Sequence, residues 1–127
     1  MKLRLKGNSI RLRLLRSEVA GLIETGLIEE TIYFGPSDQS AFTYALATDS
    51  NLVNTQLRYE PSKIVIVVPK GAATSWAESE QVGIYAAVDI EKKGSLDLIV
   101  EKDFACLDLS DDENKDTFLN PQMGATC

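Results

Sequence analysis

The two cysteines are the residues of this chain best suited to nucleophilic, redox or metal chemistry. Cys106 and Cys127 lie near the carboxyl end of the 127 residues, and the chain contains no histidine. Without histidine, neither a serine nor a cysteine nucleophile can have an imidazole base. The neighbouring carboxylates of Glu101, Asp103 and Asp108 disfavour a thiolate. We therefore expect Cys106 to be a small buried apolar residue and the protein to have no catalytic residues.

Metal binding is tested by the spacing of oxygen and sulfur ligands. Two thiolates are too few for a closed four-ligand zinc site in one chain. Asp108 to Asp116 carries oxygen ligands at alternate positions, as in an EF-hand loop, but Glu113 and Leu119 stand where that loop needs glycine and glutamate. We expect no metal and no cofactor. A disulfide, or a thiol-dependent redox or metal-binding protein centred on Cys106 and Cys127, is the alternative.

Basic residues are concentrated at the start of the chain. The net charge is −6, yet residues 1–20 contain six cations and only one acid, Glu18. Arginine is suited to bidentate recognition of carboxylate or phosphate. We expect Arg4, Arg11 and Arg13 to bind a small anion or an acidic segment of a partner protein. The alternative is a solvated face balanced by the protein's own acids.

Acid–base catalysis would need carboxylates that converge. Here Glu29 and Glu30 would have to lie close to Asp97 or Glu101. Charged residues on an exposed sheet face are more common than such a catalytic pair. Because the protein has a net negative charge, it also lacks the broad basic surface that nucleic-acid binding requires. We therefore expect no nucleic-acid partner.

The basic residues lie on two predicted strands. Apolar residues change from odd to even positions around Gly7-Asn8, a pair suited to a tight turn. In that hairpin Arg4 faces Arg11 and Lys2 faces Arg13, which places like charges opposite each other at a cost. Two unpaired strands joined by a bend are the alternative.

Periodicity predicts the remaining elements. Ser17 is expected to cap a helix that ends at Gly26, and Pro69 to open a second short helix. The β-branched run at residues 63–68 predicts a central strand buried on both faces. The predicted core comprises Ile66, Val68, Trp76, Leu98 and Val100.

These patterns give seven or eight strands and two short helices, mostly in neighbouring strand pairs. They predict an α+β protein with a mostly antiparallel, curled sheet, and no internal repeat is visible. We expect a single globular domain over residues 1–108 and an acidic, poorly structured tail over residues 109–127, with an anchor at Phe118-Leu119. The acids of residues 101–127 are expected to shield the basic strands.

Three short sequences carry a family resemblance. KGNSIRLRLLRSEV at residues 6–19, TYAL at 43–46, and VEKDFACL at 100–107, followed by DDE and FLNP, resemble a family of small, uncharacterised bacterial proteins. The resemblance spans almost the whole chain. It implies a stand-alone bacterial domain with no assigned activity, and it supplies no catalytic residue.

The lengths of the apolar runs indicate the cellular location of the protein. The longest, at residues 64–68, is far shorter than the roughly 18–20 residues of a spanning helix. Arg11, Arg13 and Arg16 interrupt the stretch that a signal peptide would need. We expect a soluble, cytoplasmic binding or interaction module with no membrane partner.

Overall fold

A computed structural model describes residues 1–105 and 115–119. The α+β class, the number of strands and the two short helices are confirmed. The elements in chain order are β1 (Lys2–Lys6), β2 (Ser9–Leu14), α1 (Arg16–Thr25), β3 (Leu27–Tyr33), β4 (Ala41–Asp49), β5 (Gln56–Glu60), β6 (Lys63–Pro69), α2 (Lys70–Glu78), β7 (Gly83–Asp89) and β8 (Ser95–Lys102), with a short 3₁₀ turn at Glu91–Lys93.

The strands form two four-stranded sheets rather than one curled sheet. The first has the order β1-β2-β8-β7 and the second the order β3-β4-β6-β5. In each sheet the outer pairs are antiparallel, whereas the central pairs, β2 with β8 and β4 with β6, are parallel. Both sheets are therefore mixed. Each parallel pair joins strands from two different hairpins: β2 and β8 are far apart in the chain, and β4 and β6 are separated by β5. Helix α1 leads from the first sheet to the second, and α2 leads back.

The two halves of the chain repeat one arrangement, which the sequence does not reveal. Each half runs strand, strand, helix, strand, strand, and each gives its first hairpin to one sheet and its second to the other. The equivalent buried positions of the helices and of the two central strand pairs share one separation along the chain and have closely similar burial. The buried pairs are Ile10 and Ile64, Leu12 and Ile66, Leu14 and Val68, Val19 and Ala73, Leu22 and Trp76, and Leu46 and Val100.

One apolar core lies between the sheets and the helices. It takes alternate residues from the central strands of both sheets and the buried faces of α1 and α2. All five predicted core residues belong to it, and none is more than 1% exposed: Ile66, Val68, Trp76, Leu98 and Val100. The central position predicted for residues 63–68 is confirmed, because β6 lies between β4 and β5.

The predicted β1–β2 hairpin is confirmed with its register. Arg4 lies opposite Arg11, and Lys2 lies opposite Arg13. Gly7 supplies the positive φ of the turn, at 55°. The alternative of two unpaired strands is therefore wrong.

Helix α1 is capped differently from the prediction. Leu15, not Ser17, is the N-cap residue, and its backbone N–H donates to Glu18. Two further N–H groups of the first turn are capped by a residue from a distant part of the chain. Asp116 accepts from the backbone N–H of Ser17 at 3.1 Å and from its hydroxyl, and the Asp116 carbonyl accepts from the Arg16 N–H at 2.9 Å.

The segment around Asp116 is also held by an aromatic contact. Phe118 packs against the core and meets Phe104 edge to face, with ring centroids 6.0 Å apart. Leu119, the other half of the predicted anchor, is exposed. The division into a domain of residues 1–108 and a tail stays a prediction, because residues 106–114 and 120–127 lie outside the described residues.

Replacing Asp116 with alanine is expected to lower the free energy of unfolding by about 1 kcal/mol, the usual value of a helix cap. The variant loses both hydrogen bonds to Ser17 and places alanine at a φ of 65°. Asp116→Asn keeps an acceptor and tolerates this φ, so it should recover most of the loss. Urea unfolding measures both, and equal stability of all three proteins would contradict the capping role.

Candidate functional site

The predicted site residues lie together on the outer face of the first sheet. Residues of β2 alternate between the core and this face, so that Arg11 and Arg13 point away from the buried Leu12. With Lys2 and Arg4 from β1, they line a cavity of about 240 Å³. We call Lys2, Arg4, Arg11 and Arg13 the basic surface.

Glu101 is the main counter-charge of the basic surface. One of its carboxylate oxygens lies 3.2 Å from Nε of Arg11 and 3.9 Å from Nε of Arg13. The other accepts a hydrogen bond from the Tyr85 hydroxyl at 2.8 Å. Partial burial, and then this hydrogen bond, raises the pKa of Tyr85 above its ordinary 10.0. Tyr85 therefore stays a neutral donor, and Glu101 stays turned toward the arginines.

A second acid pairs with the edge of the same surface. The Lys2 ammonium lies 3.0 Å from a carboxylate oxygen of Asp103, which is buried. Two acids of residues 101–127, Glu101 and Asp103, thus contact the basic surface. Asp116 does not, because it caps α1. Asp108, Asp111, Asp112 and Glu113 lie outside the described residues, so shielding by them stays a prediction.

Arg4 differs from its neighbours. Its side chain is exposed on the edge strand β1. Among the described residues, it has no ion-pair partner. Within the described residues, the acids thus neutralise one side of the basic surface, and none of them pairs with Arg4.

The family of the chain is shown by its sequence. The sequence model of a family of unknown function, DUF7009, matches residues 1–122. The chain belongs to this family. No curated protein matches the sequence, and no solved structure matches it. The family description gives no activity for this DUF7009 member.

The catalytic alternatives receive no geometric support. Glu29 and Glu30 lie on β3 in the second sheet, whereas Asp97 and Glu101 lie on β8 in the first, so these four carboxylates do not converge. Cys106 and Cys127, the basis of the redox or metal alternative, lie outside the described residues. Within the described part of the chain, no group of three or more metal-ligating side chains is present.

A search for membrane spans gives one further finding. Neither helix of the described residues is long and apolar enough to cross a bilayer.

Sequence reasoning missed Lys102. Lys102 is only 5% exposed, and its ammonium donates to the Ser79 carbonyl at 2.7 Å. A signal was present, since Lys102 continues the even-numbered positions of β8 on which Leu98 and Val100 are buried. A lysine in phase with a buried face calls for an explanation.

Proposed function

We propose that this protein is a non-catalytic binding module whose basic surface contacts an anionic ligand or an acidic partner segment. The observation that carries the proposal is the convergence of Lys2, Arg4, Arg11 and Arg13 around one cavity on the outer face of the first sheet. Arginine and lysine side chains on a shared surface are suited to carboxylate and phosphate groups.

The pairing of like charges supports this proposal. Arg4 lies directly opposite Arg11, and Lys2 directly opposite Arg13. Such pairs destabilise a hairpin in the absence of an anion. Glu101 and Asp103 offset part of this repulsion from the β8 side. An anion bound at Arg4 would reduce the remaining repulsion between Arg4 and Arg11. This reduction in repulsion would contribute to the free energy of anion binding.

The position of β1 favours an extended acidic segment. β1 is the edge strand of the first sheet, and within the described residues it pairs with β2 alone. An edge strand offers unpaired backbone groups to an extended peptide, which then presents alternate side chains to each face of the sheet. Acidic side chains on the outer face would meet Arg4.

The proposal includes a cytoplasmic location and a bacterial source, which rest on the sequence features and the family resemblance given above. It also makes the cysteines incidental to function. The competing proposal of thiol or metal chemistry at Cys106 and Cys127 predicts a low-pKa thiol or stoichiometric zinc, and thiol titration with metal analysis tests it.

The binding experiment titrates an oligoglutamate peptide and, separately, polyphosphate into the protein. We expect the Arg4→Gln, Arg11→Gln, Arg13→Gln triple variant to bind at least about threefold more weakly than the unmodified protein, because exposed ionic contacts contribute about 0.2–1 kcal/mol each. The difference should fade between roughly 0.05 M and roughly 0.5 M salt, as screening increases.

The matched control removes the same number of charges elsewhere. Lys70, Lys92 and Lys93 are exposed and lie on α2 and in the 3₁₀ turn, outside the cavity that the basic surface lines. Their replacement by glutamine changes the net charge equally and should leave most of the binding intact. If both triple variants lose affinity equally, the protein attracts anions only through its overall charge, and the proposed site is wrong.

A further inference from the structure

Lys102 is a buried cation on the face of β8 opposite to the basic surface. Its neighbours in sequence, Glu101 and Asp103, pair with the basic surface, whereas Lys102 follows Leu98 and Val100 toward the core. Its ammonium reaches the Ser79 carbonyl just after the end of α2. Any function of Lys102 is therefore separate from the basic surface.

Within the described part of the chain, the Lys102 ammonium has fewer hydrogen-bond acceptors than donors. An ammonium has three N–H donors, and among the described residues Ser79 supplies one acceptor. No carboxylate of the described residues lies within 4.0 Å of it. Burial lowers the pKa of Lys102 below its ordinary 10.5, and the Glu80 carboxylate opposes this shift. Holding a buried ammonium with one acceptor costs stability.

The ammonium faces a cavity of about 720 Å³, within the size range of small-molecule sites. Among the described lining residues, Arg16 and Lys102 supply two cations and Glu80 supplies one carboxylate, an excess of one positive charge. The remaining wall is largely apolar and includes Val82 and Phe118.

The two cations are organised around one aromatic ring. The Arg16 guanidinium lies 5.3 Å from the centroid of the Phe118 ring, and the Lys102 ammonium lies 5.4 Å from it. Phe104 meets the same ring with its edge. Cation–π contacts hold the positive charges at the apolar wall. A ligand in this cavity would therefore contact the two positively charged groups and the Phe118 ring together.

This cavity lies where the two halves of the chain differ. Thr48 is the equivalent of Lys102 in the first half, because both make the same backbone hydrogen bond. The Thr48 N–H donates to the carbonyl of Gly26, just before β3. The Lys102 N–H donates to the carbonyl of Val82, just before β7. Gly26 alone joins α1 to β3, whereas residues 79–82 join α2 to β7. Lys102 and residues of the longer connection both line this cavity, and the first half of the chain has neither feature at the equivalent place.

We propose that this cavity binds a small monocarboxylate with a flat apolar body. The carboxylate accepts hydrogen bonds from the free donors of Lys102 and from Arg16, and balances the excess positive charge. The apolar body packs against Val82 and Phe118. Neither an inorganic anion nor an uncharged aromatic molecule satisfies both parts of the wall.

The test uses 2-naphthoate as the probe, with 2-naphthalenemethanol and acetate as its uncharged and ring-free counterparts. Calorimetry is expected to show that naphthoate binds at least about tenfold more tightly than either, since a hydrogen bond to a charged group is worth about a factor of ten or more. Amide chemical shifts should change at Ala77, Val82 and Phe118 and not along β1. Equal binding of the three probes, absence of naphthoate binding, or shifts confined to β1 would overturn the proposal.

Variants separate a binding role from a structural one. Lys102→Met should weaken naphthoate binding at least about tenfold without lowering the melting temperature, because it removes a buried charge and keeps the chain length. Glu80→Gln should tighten binding, since the competing carboxylate is gone. Lys70→Met, an exposed change on α2, should leave binding unchanged. Naphthoate affinity that is unaffected by Lys102→Met would refute the site.

The same measurements keep this site distinct from the basic surface. The Arg4→Gln, Arg11→Gln, Arg13→Gln variant should bind naphthoate normally, and Lys102→Met should bind oligoglutamate normally. Loss of naphthoate binding in the arginine variant would overturn the assignment to Lys102.

Discussion

Replacing Trp76 with alanine is expected to lower the free energy of unfolding by about 3–5 kcal/mol, the range for truncating a buried large aromatic residue. Trp76 has no exposed surface and is the largest side chain of the core. Its indole N–H donates to the Val82 carbonyl at 3.0 Å, so the substitution also removes a hydrogen bond at the start of β7. Urea unfolding followed by circular dichroism measures the loss without relying on the fluorescence of the missing tryptophan.

Two further variants divide this loss into its parts. Trp76→Phe keeps most of the apolar volume and removes the donor, so it should cost less than alanine. Val82 still accepts from the Lys102 N–H at 3.1 Å, and its carbonyl is not left without a partner. Phe34→Ala is the control, because Phe34 is 72% exposed. It should change stability by no more than about 0.5 kcal/mol. Equal losses at Trp76 and Phe34 would contradict the burial of α2.

Local patterns were sufficient to predict the elements and much of the core. The alternation of β2 and β8 has period two, so it shows which residues face inward without knowledge of the partner strand. The β1–β2 hairpin was predictable because its turn residues and its phase change lie within a few positions of each other. The grouping of Arg4, Arg11 and Arg13 followed from that hairpin alone.

Contacts between distant segments were not predictable in the same way. The parallel pairing of β2 with β8 and of β4 with β6 depends on which hairpins lie side by side in each sheet, and no local pattern specifies that choice. The repeat is not visible in the sequence, because the two halves share burial and register and not residue identity. Leu22 and Trp76, for example, are equivalent buried residues of different types. The Asp116 cap joins residues from opposite ends of the chain.

The Lys102 site was missed for a different reason. The position of Lys102 in the alternation was visible, but strands fray at their ends, and a terminal lysine on an apolar face usually reaches solvent with its ammonium. Its burial depends on residues 79–82 and on Phe118, which enter from two other parts of the chain. The periodicity of one strand cannot predict a site that is formed by three separate segments of the chain.

Replacing Gly83 with alanine is expected to lower the free energy of unfolding by about 1–3 kcal/mol, the usual cost of overpacking. A Cβ atom at Gly83 would lie 2.6 Å from the Val100 carbonyl oxygen and 2.9 Å from both the Tyr85 hydroxyl and Cγ of Glu101. The first is backbone in the neighbouring strand and cannot move freely. The second is the hydroxyl that donates to Glu101. The absence of a side chain at Gly83 thus gives Tyr85 room to reach Glu101 beside the basic surface.

A second glycine provides the matched control for Gly83. A Cβ atom at Gly71, in α2, would meet no atom within 4 Å, so Gly71→Ala should raise the free energy of unfolding by about 0.5–1 kcal/mol through helix propensity. The Tyr85 pKa, followed by the carbon resonances of labelled tyrosine, gives an independent measurement. In Gly83→Ala it should fall back toward the ordinary value of 10.0, because the hydroxyl is displaced from Glu101 and from its partly buried position. An unchanged Tyr85 pKa in a destabilised Gly83→Ala protein would show that Gly83 serves the packing of β7 against β8 and does not position Glu101. Glu101 would then hold Arg11 and Arg13 without help from Tyr85, and Tyr85→Phe should leave oligoglutamate binding unchanged.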